Sequence, residues 1–310
     1  MSAGMPGAQT AGIQAGPSGG ARPPQDVVQV RAAVVATERA GAYQQLSFAA
    51  PGVPELARPG QFVALAVGGA TSAHLLRRCF SILRARPGGS TVEIVVAPHG
   101  PGTVWLTELA VGDEVDLVGP LGRPFPLPSE PVACVLVGGG YGTAPLFSLA
   151  ERLRDRGCHV EMILGAATEQ RLFGVRQARE TANGVTVTTD DGSAGTQGWV
   201  SHVLPGVIRL CSAAVVYGCG PMPMLQAVAQ IAEREGAVAQ LAVEESMACG
   251  VGVCMTCVMP VVGADGQTRM VRSCLEGPVF RGDRVRWDAF ADGHGQVPAD
   301  AVGAAQPGEH

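Results

Sequence analysis

The chain has no lysine: its 22 basic residues are all arginine, and with 27 acidic residues the net charge is −5. Without a basic excess there is no broad surface to track a phosphate backbone, which argues against nucleic acid as a partner. Charged residues of both signs are sparse, 16% against about 25% in an average globular chain. With 46% apolar residues, such a chain buries a large core, so global disorder is excluded. True membrane spans are missing as well. Pro131–Ala150 and Leu210–Ala232 carry no charge and reach the ~20 residues of a span. However, Gly138, Gly139, Gly140, Gly142 and Pro145 break the first, and Gly218, Gly220, Pro221 and Pro223 break the second. Each reads better as buried strand, tight loop and helix. The run Met1–Pro24 lacks the basic start and apolar core of a secretory signal and reads as a flexible tail. A cytoplasmic, reducing setting is expected. Nine cysteines there point to metal ligation or small core positions rather than to disulfides.

At 310 residues the chain exceeds the ~250–300 at which a single core stops growing, so several modules are expected. After a tail over 1–25, short β-rich runs fill 26–125: Val27–Val35, Tyr43–Phe48, Gln61–Val67, Cys79–Arg84, Thr91–Ala97 and Glu114–Val118. Pro51-Gly52, Pro59-Gly60 and Pro87-Gly88-Gly89 separate them, and one helix, Thr103–Leu109, interrupts the series. This pattern predicts an antiparallel β-barrel. Over 126–240 strands and helices alternate, beginning with Ala133–Val137 and Thr143–Arg156 and including a helix over Gly198–Leu204. Such alternation predicts a doubly wound parallel sheet. The stretch 241–291 is rich in Cys and Gly and reads as a small module, and 292–310 as a second flexible tail. The whole is a multidomain α/β plus β architecture.

Cys249, Cys254, Cys257 and Cys274 stand as C-x4-C-x2-C-x16-C. The first three have the spacing with which plant-type ferredoxins wrap a loop around a [2Fe–2S] cluster. Gly250 and Gly252 suit that wrapping, because residues without a side chain reach positive φ and bring backbone N–H groups toward sulfur. A four-cysteine zinc site is the alternative, although it usually shows two C-x2-C pairs. Cys79, Cys134, Cys158 and Cys211 lie in or beside apolar strands and read as small core residues.

Two glycine-rich turns follow predicted strands. Gly138-Gly139-Gly140-Tyr141-Gly142-Thr143 leads into a helix, and Gly218-Cys219-Gly220-Pro221 into another. Backbone N–H groups at such turns can approach a pyrophosphate, and two loops at neighbouring strand ends would flank a ligand crevice. The first is not a Rossmann fingerprint, since Thr143 takes its third glycine position. In the barrel, Arg77 and Arg78 precede Cys79-Phe80-Ser81. Arginine suits bidentate phosphate contact and serine a ring edge, while an exposed pair on a barrel rim is the simpler alternative. His99-Gly100-Pro101-Gly102-Thr103 offers a second anion site, with Thr103 as an N-cap.

The order of these parts resembles the ferredoxin reductase superfamily: Arg78–Ser81 resembles its R-P-x-S flavin motif, Gly102-Thr103 its G-T, Gly138–Pro145 its nucleotide loop, and Cys219-Gly220-Pro221 its C-G-P element. Glu245–Cys257 and Arg272–Phe280 narrow the resemblance to the electron-transfer subunit of NAD-dependent, class 1B dihydroorotate dehydrogenase. It covers about Val27 to Phe290, and Cys79 departs from it, standing where the family usually has Pro. The resemblance implies FAD on the barrel, held by Arg78, Cys79, Phe80, Ser81, Val95, Val96, Ala97, Gly102 and Thr103. It implies NAD(H) on the α/β domain, at Gly138, Gly139, Gly140, Gly142, Thr143, Gly220 and Pro221. The [2Fe–2S] cluster on the four cysteines would face a catalytic, FMN-containing dihydroorotate dehydrogenase subunit in a heterotetramer of two of each. Cys219 would lie near the nicotinamide–flavin contact as a catalytic residue, or is a buried small residue at a glycine turn.

Nicotinamide exchanges two electrons at once and a [2Fe–2S] cluster one, so a flavin able to do both belongs between them. The implied role is electron transfer between the partner's FMN and NAD+ in pyrimidine (UMP) biosynthesis. A reductase subunit of a sulfite reductase or hydrogenase shares the same internal chemistry. A zinc-bearing interaction module and a flavin-binding redox sensor are readings from other classes.

Overall fold

The computed structural model describes residues 26–69, 72–244, 246–291 and 294–303. The expected N-terminal tail and the end of the C-terminal one lie outside them. Seven strands form the first sheet: β1 (Val28–Ala40), β2 (Tyr43–Ala49), β3 (Phe62–Leu65), β4 (Arg78–Ser81), β5 (Arg84–Arg86), β6 (Thr91–Val96) and β7 (Glu114–Leu121). Their order is β4-β3-β7-β1-β2-β6-β5, antiparallel throughout. On β2, alternation turns Leu46 and Phe48 inward, where they meet Val63, Leu65, Ile94 and Leu117.

The run Cys79–Arg84 is not the single strand that its apolar pattern predicts. Ile82 N–H donates to Gln61 O at 3.0 Å on one sheet edge, and Leu83 N–H to Glu93 O at 2.8 Å on the other. The chain thereby passes directly from one end of the strand order to the other, which curls the sheet into a barrel. A one-turn helix α1 (Val53–Leu56) and the helix α2 (Pro101–Thr107) flank the barrel.

The second sheet is built from β8 (Ala133–Gly139), β9 (His159–Ala166), β10 (Gly184–Thr189), β11 (Thr196–Gln197), β12 (Val215–Cys219) and β13 (Val238–Ala242), interleaved with α3 (Ala144–Asp155), α4 (Val175–Thr181), α5 (Val200–Cys211) and α6 (Met222–Arg234). The order β11-β10-β9-β8-β12-β13 is parallel and reverses direction of travel between β8 and β12. Along β8, Cys134 and Leu136 pack toward α3 on one face, and Val135 and Val137 toward α5 and α6 on the other. A strand covered on both faces needs a continuous apolar run, which is what Ala133–Val137 supplies. Helix α5 runs past Pro205 to Cys211, beyond the predicted end at Leu204, because fully buried Leu204 and Ile208 on one stripe hold it against the sheet.

In the remaining segment, β14 (Val258–Val262) and β15 (Thr268–Arg272) form a hairpin, the short helix α7 (Ser273–Glu276) follows, and β16 (Val279–Arg281) returns to pair antiparallel with β13. The segment after 291, read above as a tail, is anchored over 294–303. β17 (Phe290–Ala291) pairs with β18 (His294–Gly295), Asp300 binds Arg286 at 2.8 Å, and Val302 N–H donates to Thr268 O at 2.9 Å. The three parts meet at one junction, where Arg123 N–H donates to Gly277 O and the Arg123 guanidinium pairs with Glu276, both at 2.6 Å. Among the described residues, no helix is long and apolar enough to cross a membrane.

Candidate functional site

A cleft of about 350 Å³ opens between the barrel, the first glycine loop and the cysteine segment. That volume is at the lower end of the range for ligand sites, about 300–1,000 Å³. From the barrel it is lined by Arg78, Cys79, Phe80 and Ser81 on β4, by Val95 and Ala97, and by His99 and Thr103. Val96, between the last two lining strand residues, turns by alternation into the barrel core. The two adjacent arginines separate by role. Arg77 pairs with Asp116 at 2.8 Å, whereas Arg78 spans to Leu76 O at 2.8 Å and has no carboxylate partner among the described residues. Gly102 leaves room for that side chain: a Cβ there would stand 3.3 Å from Arg78 Nε and 3.0 Å from Val67. Thr103 is not the N-cap. Pro101 takes the first helical position, and Thr103 Oγ1 accepts from His99 N–H at 2.8 Å and Gly100 N–H at 3.1 Å, tying the loop down.

The two glycine loops lie side by side at the C-terminal ends of β8 and β12, where the strand order reverses. Their glycines serve mutual contact. A Cβ on Gly142 would fall 2.8 Å from Cys219 O and from Gly220 Cα, and one on Gly139 2.9 Å from Pro221, whereas one on Gly138 would meet Thr143 of its own loop. Thr143 is buried and donates to Gly140 O at 2.9 Å. Of these loop residues, Tyr141, Gly142 and Ala144 line the cleft. Tyr141 meets Tyr43 edge-on, 5.7 Å between ring centroids, and so bridges the nucleotide domain to the barrel.

Cys219 is buried behind Gly142, and burial followed by the nearby Glu244 carboxylate raises its thiol well above the usual range, so it stays protonated. Glu244 itself, just after β13, is a solvent-exposed side chain at the cleft, with protein crowding it away from the opening. That desolvation raises its carboxyl to about 7. Neither Glu244 nor Tyr141 carries a local sequence signal for this role. Only the fold brings the end of β13 to the glycine loop.

The cysteine segment wraps as its glycines suggest. Gly250 and Gly252 take φ of 71° and 80°, and Met255 takes 61°. Val251 and Val253 N–H groups donate to Cys249 Sγ at 3.4 and 3.3 Å, and Thr256 Oγ1–H to Cys254 Sγ at 3.1 Å. Arg272 braces the loop by donating to Gly252 O at 2.9 Å. Cys257 and Cys274 are buried, Cys249 is half-buried and Cys254 exposed. A hydrogen bond from Cys274 holds the Cys257 thiol well below its usual pKa, while Cys274 is raised. Cys254 is lowered to about 7, first by Thr256 and to a lesser extent by Cys249. The sulfurs are thus associated two and two, Cys249 with Cys254 and Cys257 with Cys274. Among the described residues no three donors converge as around a single ion. Two pairs of thiolates on a glycine-turned loop, with N–H and O–H groups aimed at sulfur, fit a two-iron cluster.

Cys134 and Cys158 are buried in the nucleotide domain as expected, but Cys211 ends α5 half-exposed and Cys79 is not a barrel-core residue. Together with Phe62 and Met247, Cys79 packs on Cys257 and Cys274, and the same three side chains line the cleft. Burial, then the neighbouring Cys249, pushes its thiol up to about 12.

This is the architecture of a flavin- and nicotinamide-linked reductase with an appended iron–sulfur module. A chain of the NADH-dependent reduced ferredoxin-NADP oxidoreductase, studied for flavin-based electron bifurcation, matches 84% of this chain and 91% of its own at TM-score 0.73 and 29% identity. A ferredoxin NADP+ reductase from Neisseria gonorrhoeae, solved with FAD and NADP, shares the fold at TM-score 0.55 and 17% identity, over 67% of this chain and 93% of its own. Residues 244–286 match the iron–sulfur cluster binding domain of dihydroorotate dehydrogenase B. The electron transfer subunit of dihydroorotate dehydrogenase B (NAD(+)) from Geobacillus thermodenitrificans is 40% identical over 236 residues, 75% of this chain and 88% of that protein. Its counterpart from Desulforamulus reducens is 35% identical over 244 residues, 78% and 92%. The chain belongs to the family of dihydroorotate dehydrogenase B electron transfer subunits.

Proposed function

We infer that this chain carries electrons between NAD+ and the FMN of a partner subunit that oxidises dihydroorotate, using its own FAD and [2Fe–2S] cluster, in pyrimidine biosynthesis. The observation that carries this reading is the shared wall: Phe62, Cys79 and Met247 line the flavin cleft on one side and pack on cluster cysteines on the other. Bound there, FAD supplies exchange of two electrons with nicotinamide and of one with the cluster.

The remaining work belongs to side chains of this chain. Arg78, free of a carboxylate, holds the dinucleotide's phosphates, and Ser81 and Thr103 offer hydroxyls along the cleft. The paired glycine loops admit the nicotinamide end beside Gly142, over a protonated Cys219. Glu244 holds or releases a proton on its carboxyl near neutral pH at the same end of the cleft. Cys249, Cys254, Cys257 and Cys274 hold the cluster. The exposed Val251, Val253 and Met255 around Cys254 form the apolar surface that the catalytic subunit covers, in an assembly of two copies of each chain in the cytoplasm. The division at 26–125, 126–240 and 241–291 assigns one redox partner to each part.

The test is to isolate the complex anaerobically through a tag on this chain and to add dihydroorotate and NAD+. NADH formation, with FAD and iron present, is the expected result. Flavin and iron without dihydroorotate-driven NADH would leave the electron carrier and overturn the pyrimidine partner.

A further inference from the structure

Ser273 opens α7, directly before the ligand Cys274, and its N–H donates to Cys257 O at 2.9 Å. It is fully buried, and its hydroxyl has no hydrogen-bond partner within the protein. Two other buried side-chain atoms among the described residues share that condition, on Gln177 and Thr188, both in the nucleotide domain. A buried hydroxyl without a partner is unfavourable, and native structures retain one where a group outside the chain completes it. Ser273 is pinned between two cysteines, one bonded through its amide and the other next in sequence, so the group beside it is the cluster.

We propose that the Ser273 hydroxyl donates a hydrogen bond to a sulfur of the [2Fe–2S] cluster and thereby raises its reduction potential. The proposal rests on the cluster reading above. Reduction adds one negative charge, which spreads onto sulfur, and an O–H donor stabilises the more negative state. The position also separates Ser273 from the other donors. Thr256, Val251 and Val253 serve the exposed Cys249–Cys254 side, which the partner covers, whereas Ser273 serves the buried Cys257–Cys274 side, against the wall of the flavin cleft.

The experiment is an EPR-monitored redox titration of the full-length, FAD- and cluster-loaded chain as wild type, Ser273→Ala and Ser273→Thr. Ser273→Ala is expected to shift the one-electron equilibrium about tenfold toward the oxidised cluster, about 59 mV, with iron content and flavin content unchanged. Ser273→Thr, which keeps the hydroxyl, is expected to restore the wild-type value. An alanine variant with full iron and an unshifted potential overturns the proposal. Should alanine lose the cluster, threonine decides: a loaded cluster at the wild-type potential supports the hydroxyl, and a lowered potential overturns it. A wild-type chain without iron overturns the cluster reading itself, and the proposal with it.

Discussion

The Cys79 sulfur lies 3.1 Å from the point where a Cβ on Gly250 would stand, so the flavin strand and the cluster loop touch through a glycine. Phe62 and Leu121 close the same point at 3.3 and 3.4 Å, and Gly250 holds φ at 71°. Gly250→Ala meets both penalties, a left-handed backbone and a contact that must yield. The expected loss is about 1–3 kcal/mol, concentrated where the loop meets the barrel. Iron per chain after anaerobic purification should fall well below the wild-type value while FAD content holds. Full iron occupancy in the variant would show that the loop and β4 are not packed as described.

Glu244 makes stability depend on pH in a direction opposite to that of most carboxylates. Its carboxyl rises from 4.5 to about 7 through desolvation, so the folded chain holds a proton that the unfolded chain releases. Between those values stability from this group falls as pH rises and is lowest above 7, by an amount that solvent screening keeps small because the side chain is exposed. The neighbouring Cys219, Tyr141 and Tyr43 are all raised and remain protonated through this window, which leaves the titration to Glu244. Glu244→Gln should therefore melt above wild type at pH 8 and show little or no gain at pH 5. The NADH-dependent flavin reduction rate should lose its inflection near neutrality in the same variant. Equal melting differences at both pH values would show that solvent at the cleft mouth cancels the desolvation of this carboxyl.

The contact between the two nucleotide loops predicts a selective defect. In Gly142→Ala the new Cβ would lie 2.8 Å from Cys219 O and Gly220 Cα, both backbone atoms that cannot turn aside. The loops must part, and the change is confined to the mouth of the cleft where nicotinamide enters. Stopped-flow reduction of bound FAD by NADH should slow at least tenfold, about 1.4 kcal/mol, whereas photochemical reduction of flavin and cluster should proceed as in wild type. Slowing of both would mean that the substitution disturbs the flavin rather than the nicotinamide end.

The parts most legible in the sequence are those with local causes. The apolar run Ala133–Val137 ends in glycines because a two-sided buried strand meets a tight turn, and the four cluster cysteines are spaced by the wrap they make. The wall between the redox sites had no such signal: Phe62, Cys79 and Met247 come from β3, β4 and the cysteine segment, and only the β3–β4 pairing and the docking of the cysteine segment on the barrel bring them together. For the same reason Cys79 reads as a core residue in its strand and proves to be a cluster neighbour. Ile82 and Leu83 continue an apolar strand pattern, yet they bond to opposite sheet edges. Thr103 has N-cap chemistry, but Pro101 starts the helix two residues earlier and moves it to the third position.

Arg77 and Arg78 are adjacent and identical, so replacing each in turn separates flavin binding from barrel structure. Arg77 reaches Asp116 on β7 twice, through its carboxylate at 2.8 Å and its carbonyl at 2.9 Å. Arg77→Ala should lower stability by about 1 kcal/mol or less, as partly exposed pairs do, and keep FAD. Arg78 has no such partner and lines the cleft. Its removal deletes charge-assisted bonds to phosphate worth about 1.5–3 kcal/mol, so FAD should bind roughly tenfold to a hundredfold more weakly in Arg78→Ala at nearly unchanged melting temperature. Arg78→Lys should recover part of that loss, because an ammonium keeps the charge but not the two-pronged geometry. Titration of the flavin-stripped chain with FAD, followed by flavin fluorescence, measures all three. Equal FAD affinity in Arg78→Ala and wild type would move the phosphate site away from β4, to the backbone N–H groups of the glycine loops.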